Sequence, residues 1–271
     1  MYLPRISFLI AGLIAASPVH GHEFWLEARQ YQVAPGENIT VNLRNGEHFE
    51  GRTLAYFDRS TTRFGLSFGG EITQIEARSG DVPALDIPAP ADDGLLGVVH
   101  EAAPSSVTYD DWEKFVSFAE HKDFDTVIEA HIAAGFPRDR FKESYTRHSK
   151  ALIAVGTGEG SDQPLGLETE ITALSNPYAA DFDGVMRVSL SYQGVPREAA
   201  QIEVYARAKT SEVTIRKYTT DAAGLAQFPV ERGITYLVDA VLLRPAPEAG
   251  AEPGAPLWET LWASLTFAVP R

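Results

Sequence analysis

The stretch Asn38-Ile39-Thr40-Val41-Asn42-Leu43-Arg44 alternates strictly between polar and apolar residues. Successive side chains of a β-strand point to opposite faces of the sheet, so Ile39, Val41 and Leu43 share one face. The other face is polar, as in an antiparallel sheet with one buried and one solvated side. The stretch therefore predicts a half-buried strand and a mainly β fold around it.

Short apolar segments lie on both sides of this strand. Residues 24–26 precede it, and residues 54–57 and 95–99 follow it. Clusters of Gly, Pro, Asn and Asp separate these segments, and the pair Asn45-Gly46 predicts the turn that ends the central strand. Short strands with turn residues between them favour a β-sandwich over alternating β and α units.

The hydrophobic period changes from two to 3.6 between about residues 108 and 154. Thr108 is a candidate helix N-cap, and Gly135 and Pro137 predict the end of a second helix and the first turn of a third. We therefore expect a helical insert with one apolar side. The apolar positions that define this side are Trp112, Phe115, Val116, Ala119, Phe124, Val127, Ile128, Ile132, Phe141, Tyr145 and Leu152.

A glycine-rich segment at residues 156–162 predicts a linker, with a domain boundary near residue 160. Beyond it, Val188, Leu190 and Tyr192 alternate with polar residues, and the pattern returns in later segments. About seven strands predict a C-terminal immunoglobulin-like or transthyretin-like sandwich over residues 161–271. The predicted fold is mainly β, with two β-sandwich domains and a helical insert at the end of the first, residues 22–160.

The first 21 residues are typical of a secretory signal peptide. Arg5 precedes an apolar run at residues 6–16, and Val19 and Gly21 fit the small-residue cleavage rule. The apolar run is too short to span a bilayer as a helix. We expect a periplasmic protein that does not span the membrane after signal cleavage.

The charge of the chain restricts its partners. The full chain carries a formal net charge of −14, and removal of the signal peptide, which holds one Arg and no acid, makes it −15. A field of this sign repels nucleic acid, so we expect no nucleic-acid partner. The chain has no Cys, which excludes disulfides, thiolate metal ligands and a cysteine nucleophile.

Histidines are the strongest candidates for chemistry. Cleavage after Gly21 would make His22 the first residue, whose α-amine and imidazole could chelate a metal together. His48, His100 and His148 are the candidate further ligands, and residues 161–271 contain no histidine. Nickel(II) and copper(II) favour such nitrogen ligands. Cleavage further upstream would instead leave a flexible His-Gly-His segment, and His148 also fits a packing role.

The sequence contains five phrases that matter together: His22-Glu23-Phe24-Trp25-Leu26-Glu27, Tyr31-Gln32-Val33-Ala34-Pro35-Gly36-Glu37, Lys150-Ala151-Leu152, Asn176-Pro177-Tyr178 and Trp258-Glu259-Thr260-Leu261-Trp262-Ala263-Ser264-Leu265-Thr266-Phe267. Together they resemble the DUF4198 family of exported bacterial proteins, which is described as related to periplasmic components of nickel and cobalt uptake. The resemblance implies a divalent transition metal, nickel, cobalt or copper, and a membrane metal-uptake system as partner.

We predict no catalytic residues. His-Glu-x-x-His does not occur, and Gly65-Leu66-Ser67-Phe68-Gly69, which matches Gly-x-Ser-x-Gly, is not taken as a nucleophile elbow. The alternative to a metal-binding protein is a non-catalytic cell-envelope module that binds a protein or a glycan. Trp112, Trp258 and Trp262 could line a carbohydrate surface, although core packing is the more common role of such residues. Metal retained on purification would distinguish the two functions.

Overall fold

The structure, a computed structural model, describes residues 22–271, so the predicted signal peptide at residues 1–21 lies outside the described residues. The strands of the first half are β1 (Glu23–Ala28), β2 (Gln32–Val33), β3 (Asn38–Glu47), β4 (Glu50–Leu54), β5 (Thr61–Phe68), β6 (Glu71–Gln74), β7 (Leu85–Pro88), β8 (Gly94–Ala102), β9 (Ser105–Tyr109) and β10 (Phe141–Val155). A short 3-10 helix at Asp58–Ser60 precedes β5, and the helices α1 (Trp112–His121) and α2 (Asp125–Ala133) lie between β9 and β10.

Eight more strands form the second half of the chain. They are β11 (Thr169–Ala173), β12 (Val185–Tyr192), β13 (Val195–Pro196), β14 (Gln201–Arg207), β15 (Val213–Thr219), β16 (Leu225–Pro229), β17 (Thr235–Pro245) and β18 (Trp258–Ala268). The prediction of a mainly β fold is confirmed.

A ten-stranded sheet runs through both halves of the chain. Its strand order is β15-β14-β17-β18-β10-β8-β5-β6, and β2 and β9 also pair with β10. A smaller sheet of β1, β3, β4 and β7 packs on the first half, and a second one of β11, β12, β13 and β16 packs on the other half. The result is a β-sandwich with one long sheet and two short ones.

The core between the sheets is formed by the apolar faces that the sequence pattern indicates. Ile39, Val41 and Leu43 of β3 are buried, as the alternation predicts. They belong to one apolar cluster that includes Leu152 of β10 and Leu265 of β18. Because this cluster draws on all three sheets, the two halves share a single core.

The predicted third helix is wrong, because residues 141–155 form strand β10. Every residue from 148 to 155 is buried, since this strand lies in the middle of the long sheet with other elements on both faces. A strand buried on both faces shows a continuous apolar run instead of alternation, so periodicity cannot separate it from a buried helix. The other two predicted helices exist as α1 and α2.

Helix α1 begins later than the sequence pattern suggested. Asp111 is its N-cap and accepts a hydrogen bond from the Glu113 backbone N–H at 3.1 Å, whereas Thr108 lies in strand β9. The two helices pack against one end of the long sheet, where Trp258 and Trp262 are buried. No helix among residues 22–271 is long and apolar enough to cross a membrane.

Strand pairing crosses the predicted domain boundary. β10 and β18 pair in parallel from Glu143↔Trp258 to Ala151↔Thr266, so strands from both sides of residue 160 belong to one sheet. The boundary itself stays a prediction. Parallel partners more than 100 residues apart leave no local signal in the sequence, because each strand reads as an ordinary apolar segment.

A buried ion pair holds the connection between the halves. Lys150 Nζ in β10 lies 2.7 Å from Asp162 Oδ2 and 3.1 Å from Glu170 Oε1. The Glu170 carboxylate also accepts hydrogen bonds from the backbone N–H groups of Leu165, Gly166 and Leu167. The three charged side chains are almost fully buried, so their mutual contacts replace the hydration that they lose.

Replacing Lys150 tests this network. Lys150→Ala leaves two buried carboxylates without their cation, so we expect the free energy of unfolding to fall by about 3–5 kcal/mol. The exposed Lys209→Ala is the control and should change it by less than about 0.5 kcal/mol. Chemical denaturation measures both, and equal effects of the two substitutions would contradict the role of the network.

Candidate functional site

The described chain begins at His22, which lies next to the hairpin of β3 and β4. The antiparallel register Glu23↔Gly46 places His22 beside Glu47. The two side chains meet, with His22 Nε2 3.7 Å from Glu47 Oε1. The His22 side chain is 54% exposed, so solvent and solutes reach its imidazole.

The hairpin turn that carries Glu47 differs from the predicted one. The turn is not at Asn45-Gly46, because β3 continues through Glu47 and the two-residue loop is His48-Phe49. Gly46 lies opposite Gly51, where the backbones of β3 and β4 approach closely. A Cβ at Gly46 would be 1.9 Å from the carbonyl oxygen of Glu50, so only glycine fits there.

Both turn residues have positive φ, 55° for His48 and 61° for Phe49, as in a type I′ hairpin. This backbone region is uncommon for a bulky residue, so packing must stabilise it. Phe49 is fully buried with its ring centroid 5.3 Å from that of Trp25, and the Arg207 guanidinium lies 4.0 Å from the ring centroid. Arg207 also donates to the Phe49 carbonyl oxygen at 3.0 Å. The turn is thus anchored to the second half of the chain.

Arg147 fixes the backbone at the other side of His22. Its Nη2 donates a hydrogen bond to the His22 carbonyl oxygen at 3.0 Å. Its guanidinium lies 4.6 Å from the ring centroid of Tyr145 and 5.9 Å from that of Phe24. The Nε atom is buried and has no hydrogen-bond partner among the described residues. Arg147 therefore fixes the backbone of His22 through Nη2, while its Nε–H has no hydrogen-bond acceptor among the described residues.

Two cavities flank the pair Tyr145 and Arg147. The first, of about 320 Å³, is lined by His22, Glu143 and Trp262 among others. The second, of about 510 Å³, lies against the β4–β5 connection and strand β8 and contains no His22 in its wall. Tyr145 and Arg147 line both cavities, so these two side chains separate them.

Glu143 is the buried acid of the first cavity. The Tyr109 hydroxyl lies 3.0 Å from its Oε2 and the Thr260 hydroxyl 2.5 Å from its Oε1. Burial raises the pKa of Glu143 to about 7, and the hydrogen bonds and the nearby Arg147 oppose this shift only in part. The carboxyl of Glu143 therefore changes its charge near neutral pH.

A buried network of charged side chains includes Glu23, the residue that follows His22. Lys122 Nζ is 2.6 Å from Glu203 Oε2 and 3.1 Å from Asp239 Oδ2. The Tyr205 hydroxyl bridges this group to Glu23, at 2.6 Å from Glu203 Oε2 and 3.0 Å from Glu23 Oε1. Burial and the neighbouring Asp239 raise the pKa of Glu23 to about 7. The network ties β1, the end of α1 and the long sheet together.

Two of the four predicted metal ligands, His100 and His148, are buried, whereas the His22 side chain is exposed. His148 is buried, its Nδ1 donates to the Trp262 carbonyl oxygen at 3.2 Å, and it projects from the face of β10 opposite to Arg147. His100 is buried between the rings of Phe24 and Phe64. Burial lowers the pKa of both imidazoles.

His48 stays close to His22 in the fold, because it follows Glu47 in the anchored turn and its side chain is exposed. Among residues 22–271, no three His, Asp or Glu side chains are arranged to hold a metal ion. The donors that the structure places together around the chain start are therefore His22 and Glu47, with His48 adjacent. Sequence reasoning found the two histidines and missed Arg147, which lies among polar residues of a segment predicted to be helical.

A model of a domain of unknown function, DUF4198, matches residues 19–244. The chain belongs to the DUF4198 family. No curated protein matches it. Among solved structures, a tetra-tandem repeat in the extending region of a large adhesion protein is 11% identical with a TM-score of 0.22, over 90% of this chain and 49% of the other, so the chain spans about half the length of that structure.

Two further structures resemble this DUF4198 chain. A two-domain fibronectin type III segment of chicken tenascin is 13% identical with a TM-score of 0.22, over 80% of this chain and 87% of the other. The alpha-2-macroglobulin of Escherichia coli activated by porcine elastase is 9% identical with a TM-score of 0.26, over 93% of this chain and 20% of the other.

The raised pKa of Glu143 makes the stability of this DUF4198 protein depend on pH. A carboxyl with a pKa of about 7 in the folded state and 4.5 when unfolded contributes stability at low pH that is lost as the pH rises through 7. The wild type should therefore lose about 3 kcal/mol relative to Glu143→Gln between pH 4.5 and pH 8.

Chemical denaturation across this pH range measures the difference. Glu129→Gln, which changes an exposed side chain of α2, is the matched control and should give a profile parallel to that of the wild type. A Glu143→Gln profile that is also parallel to the wild type would contradict the protonation of Glu143 in the folded protein.

Proposed function

We propose that this DUF4198 protein is a periplasmic protein that binds a divalent transition metal at its processed N-terminus and presents it to a membrane uptake system. Nickel and cobalt are the proposed metals, and copper fits the same donors. The observation that carries the proposal is the placement of the His22 imidazole, which has Glu47 at Nε2 while Arg147 holds its carbonyl oxygen.

The position of Glu47 selects which imidazole nitrogen binds. A carboxylate beside Nε2 favours the tautomer with the proton on Nε2, and this leaves the lone pair on Nδ1. Nδ1 is the ring nitrogen close enough to the α-amine of the same residue to form a chelate ring with it. A chain that begins at His22 would thus supply two nitrogen ligands from one residue, oriented by Glu47.

The rest of the ligand set follows from the same geometry. His48 is the further imidazole of the same hairpin, because it lies next to Glu47 in a turn that Phe49 and Arg207 anchor. His100 and His148 leave the proposed set, since both are buried and belong to no group of three or more ligating side chains among the described residues. Two or three nitrogens with a neighbouring carboxylate fit nickel(II), cobalt(II) and copper(II) better than magnesium or calcium, which take oxygen ligands.

The net charge supports capture of a cation. The formal charge of the full chain is −14, and a negative field raises the local concentration of divalent cations and the rate at which they reach a site. The exposed His22 lies at the surface of this acidic protein, where a membrane partner can approach it. Release to an uptake system needs such an accessible site.

A competitive nickel and copper titration tests the proposal. The protein is produced with its signal peptide, processed in a bacterial periplasm and compared with a chain that carries one extra residue ahead of His22. The extension keeps the imidazole but removes the α-amine from the chelate. We therefore expect tight binding by the processed protein and a loss of much more than tenfold in the extended one.

A matched pair of substitutions tests the role of Glu47. Glu47→Gln removes the carboxylate that orients the ring and should weaken metal binding by about tenfold. Glu50→Gln, which makes the same change across the hairpin, should leave the affinity unchanged. Absence of binding in the processed protein would contradict the proposal and favour a metal-independent envelope module that binds a protein or a glycan.

A further inference from the structure

The cavity of about 510 Å³ on the far side of Arg147 has an unusual lining for this acidic chain. It is bounded by the β4–β5 connection, strand β8 and the start of β9. Two arginines, Arg59 and Arg147, line it, and the residues described in its wall include neither Asp nor Glu. In a protein with 37 acidic and 23 basic residues, a cavity with cations alone is suited to an anion.

Arg147 has the donors that an anion requires. A guanidinium carries five N–H groups in a planar fork, and Arg147 uses one of them on the His22 carbonyl oxygen. Its Nε is buried without a hydrogen-bond partner, and it forms no ion pair with a carboxylate among residues 22–271. A guanidinium in this state binds a carboxylate strongly, because charge-assisted hydrogen bonds replace unmade ones.

Arg59 provides a second charge at the rim. It is exposed and lies over the ring of Phe57, at 5.1 Å from the ring centroid. The contact with the ring orients the guanidinium beside the opening without removing it from water. Arg59 therefore adds a solvent-exposed cation to the wall that holds Arg147.

His100 supplies a polar group in the wall. It is 2% exposed, its Nε2 lies 3.1 Å from the Thr61 hydroxyl, and its Nδ1 has no partner within the described part of the chain. Burial lowers the pKa of His100 to about 4, so the ring is neutral at pH 7. When the Thr61 hydroxyl donates to Nε2, the Nδ1–H of this neutral ring is a donor without an acceptor.

The remaining wall is apolar. Phe24, Leu43, Leu54 and Phe57 line the same cavity as the two arginines. An inorganic anion would leave these side chains without a contact, whereas an organic acid would place its hydrocarbon part against them. The volume of about 510 Å³ lies within the range of sites for small molecules.

We propose that this cavity binds a small organic acid, with its carboxylate on Arg147 and Arg59 and its apolar part against Phe24, Leu54 and Phe57. The proposal goes beyond metal binding and does not depend on it. The cavity shares Tyr145 and Arg147 with the one at His22, but His22 is not part of its wall. A bound acid would share Arg147 with the backbone of His22.

Isothermal titration calorimetry with hexanoate tests the site in metal-free protein. Hexanamide, which has the same chain length without the charge, and inorganic sulfate are titrated beside it. We expect saturable binding of hexanoate at one site, with hexanamide and sulfate weaker by at least about tenfold, because each lacks one of the two recognised parts.

Three substitutions locate the binding. Arg147→Gln and Arg59→Gln should each weaken hexanoate binding by about tenfold or more, since a hydrogen bond between charged groups is lost. Arg29→Gln removes an exposed arginine outside the cavity and should leave the affinity unchanged. Thermal unfolding of each variant checks that it is folded, and Arg59 keeps the test valid if Arg147→Gln is unstable.

Several results would overturn the proposal. Equal affinity for hexanoate and hexanamide would contradict recognition of the carboxylate, and equal affinity for hexanoate and sulfate would contradict recognition of the apolar part. Unchanged binding in both arginine variants would place the acid elsewhere. A complete absence of saturable binding at millimolar hexanoate would also contradict it.

Discussion

Strand β10 is paired along both edges and covered on both faces, and this constraint determines where the polar side chains of the protein lie. It pairs with β18 and β2 on one edge and with β8 and β9 on the other. Alternation along the strand then directs Glu143, Tyr145 and Arg147 to the face that β1 covers. His148 and Lys150 project to the opposite face, where Lys150 meets its two carboxylates.

Strand β1, which follows the proposed cleavage site, depends on this arrangement. Arg147 and Ser149 of β10 donate hydrogen bonds to the carbonyl oxygens of His22 and Phe24, at 3.0 and 3.3 Å, and β1 also pairs with β3. The buried network of Glu23 and Tyr205 adds a link to the second half. A strand fixed in this way loses little entropy when it binds a ligand, which favours affinity.

The sequence predicted the parts of the fold that obey a local rule. The buried face of β3 followed from alternation alone, and helices α1 and α2 followed from a 3.6-residue period. Strand β10 was not predicted, because burial on both faces removes the alternation of polar and apolar residues. Its parallel partner β18 also lies far away in the chain. The strand conformation of residues 141–155 therefore depends on tertiary pairing, which the local sequence pattern does not indicate.

The same distinction applies to the candidate site. Sequence reasoning identified His22 and His48 from residue type and position, and the structure places both at the β3–β4 hairpin. It grouped His100 and His148 with them because composition does not reveal which face of a strand a side chain occupies. Arg147 was missed because it stands between Thr146 and His148 in a polar segment, and it becomes significant only when the cavities beside it are known.

The central claim is that the mature protein begins at His22, because only then can the α-amine join the imidazole beside Glu47. Intact-mass analysis of the protein recovered from a bacterial periplasm, together with N-terminal sequencing, tests this most directly. The account predicts a chain of residues 22–271 with His-Glu-Phe-Trp as its first residues. A mature chain that begins upstream, for example at Ser17, would contradict it.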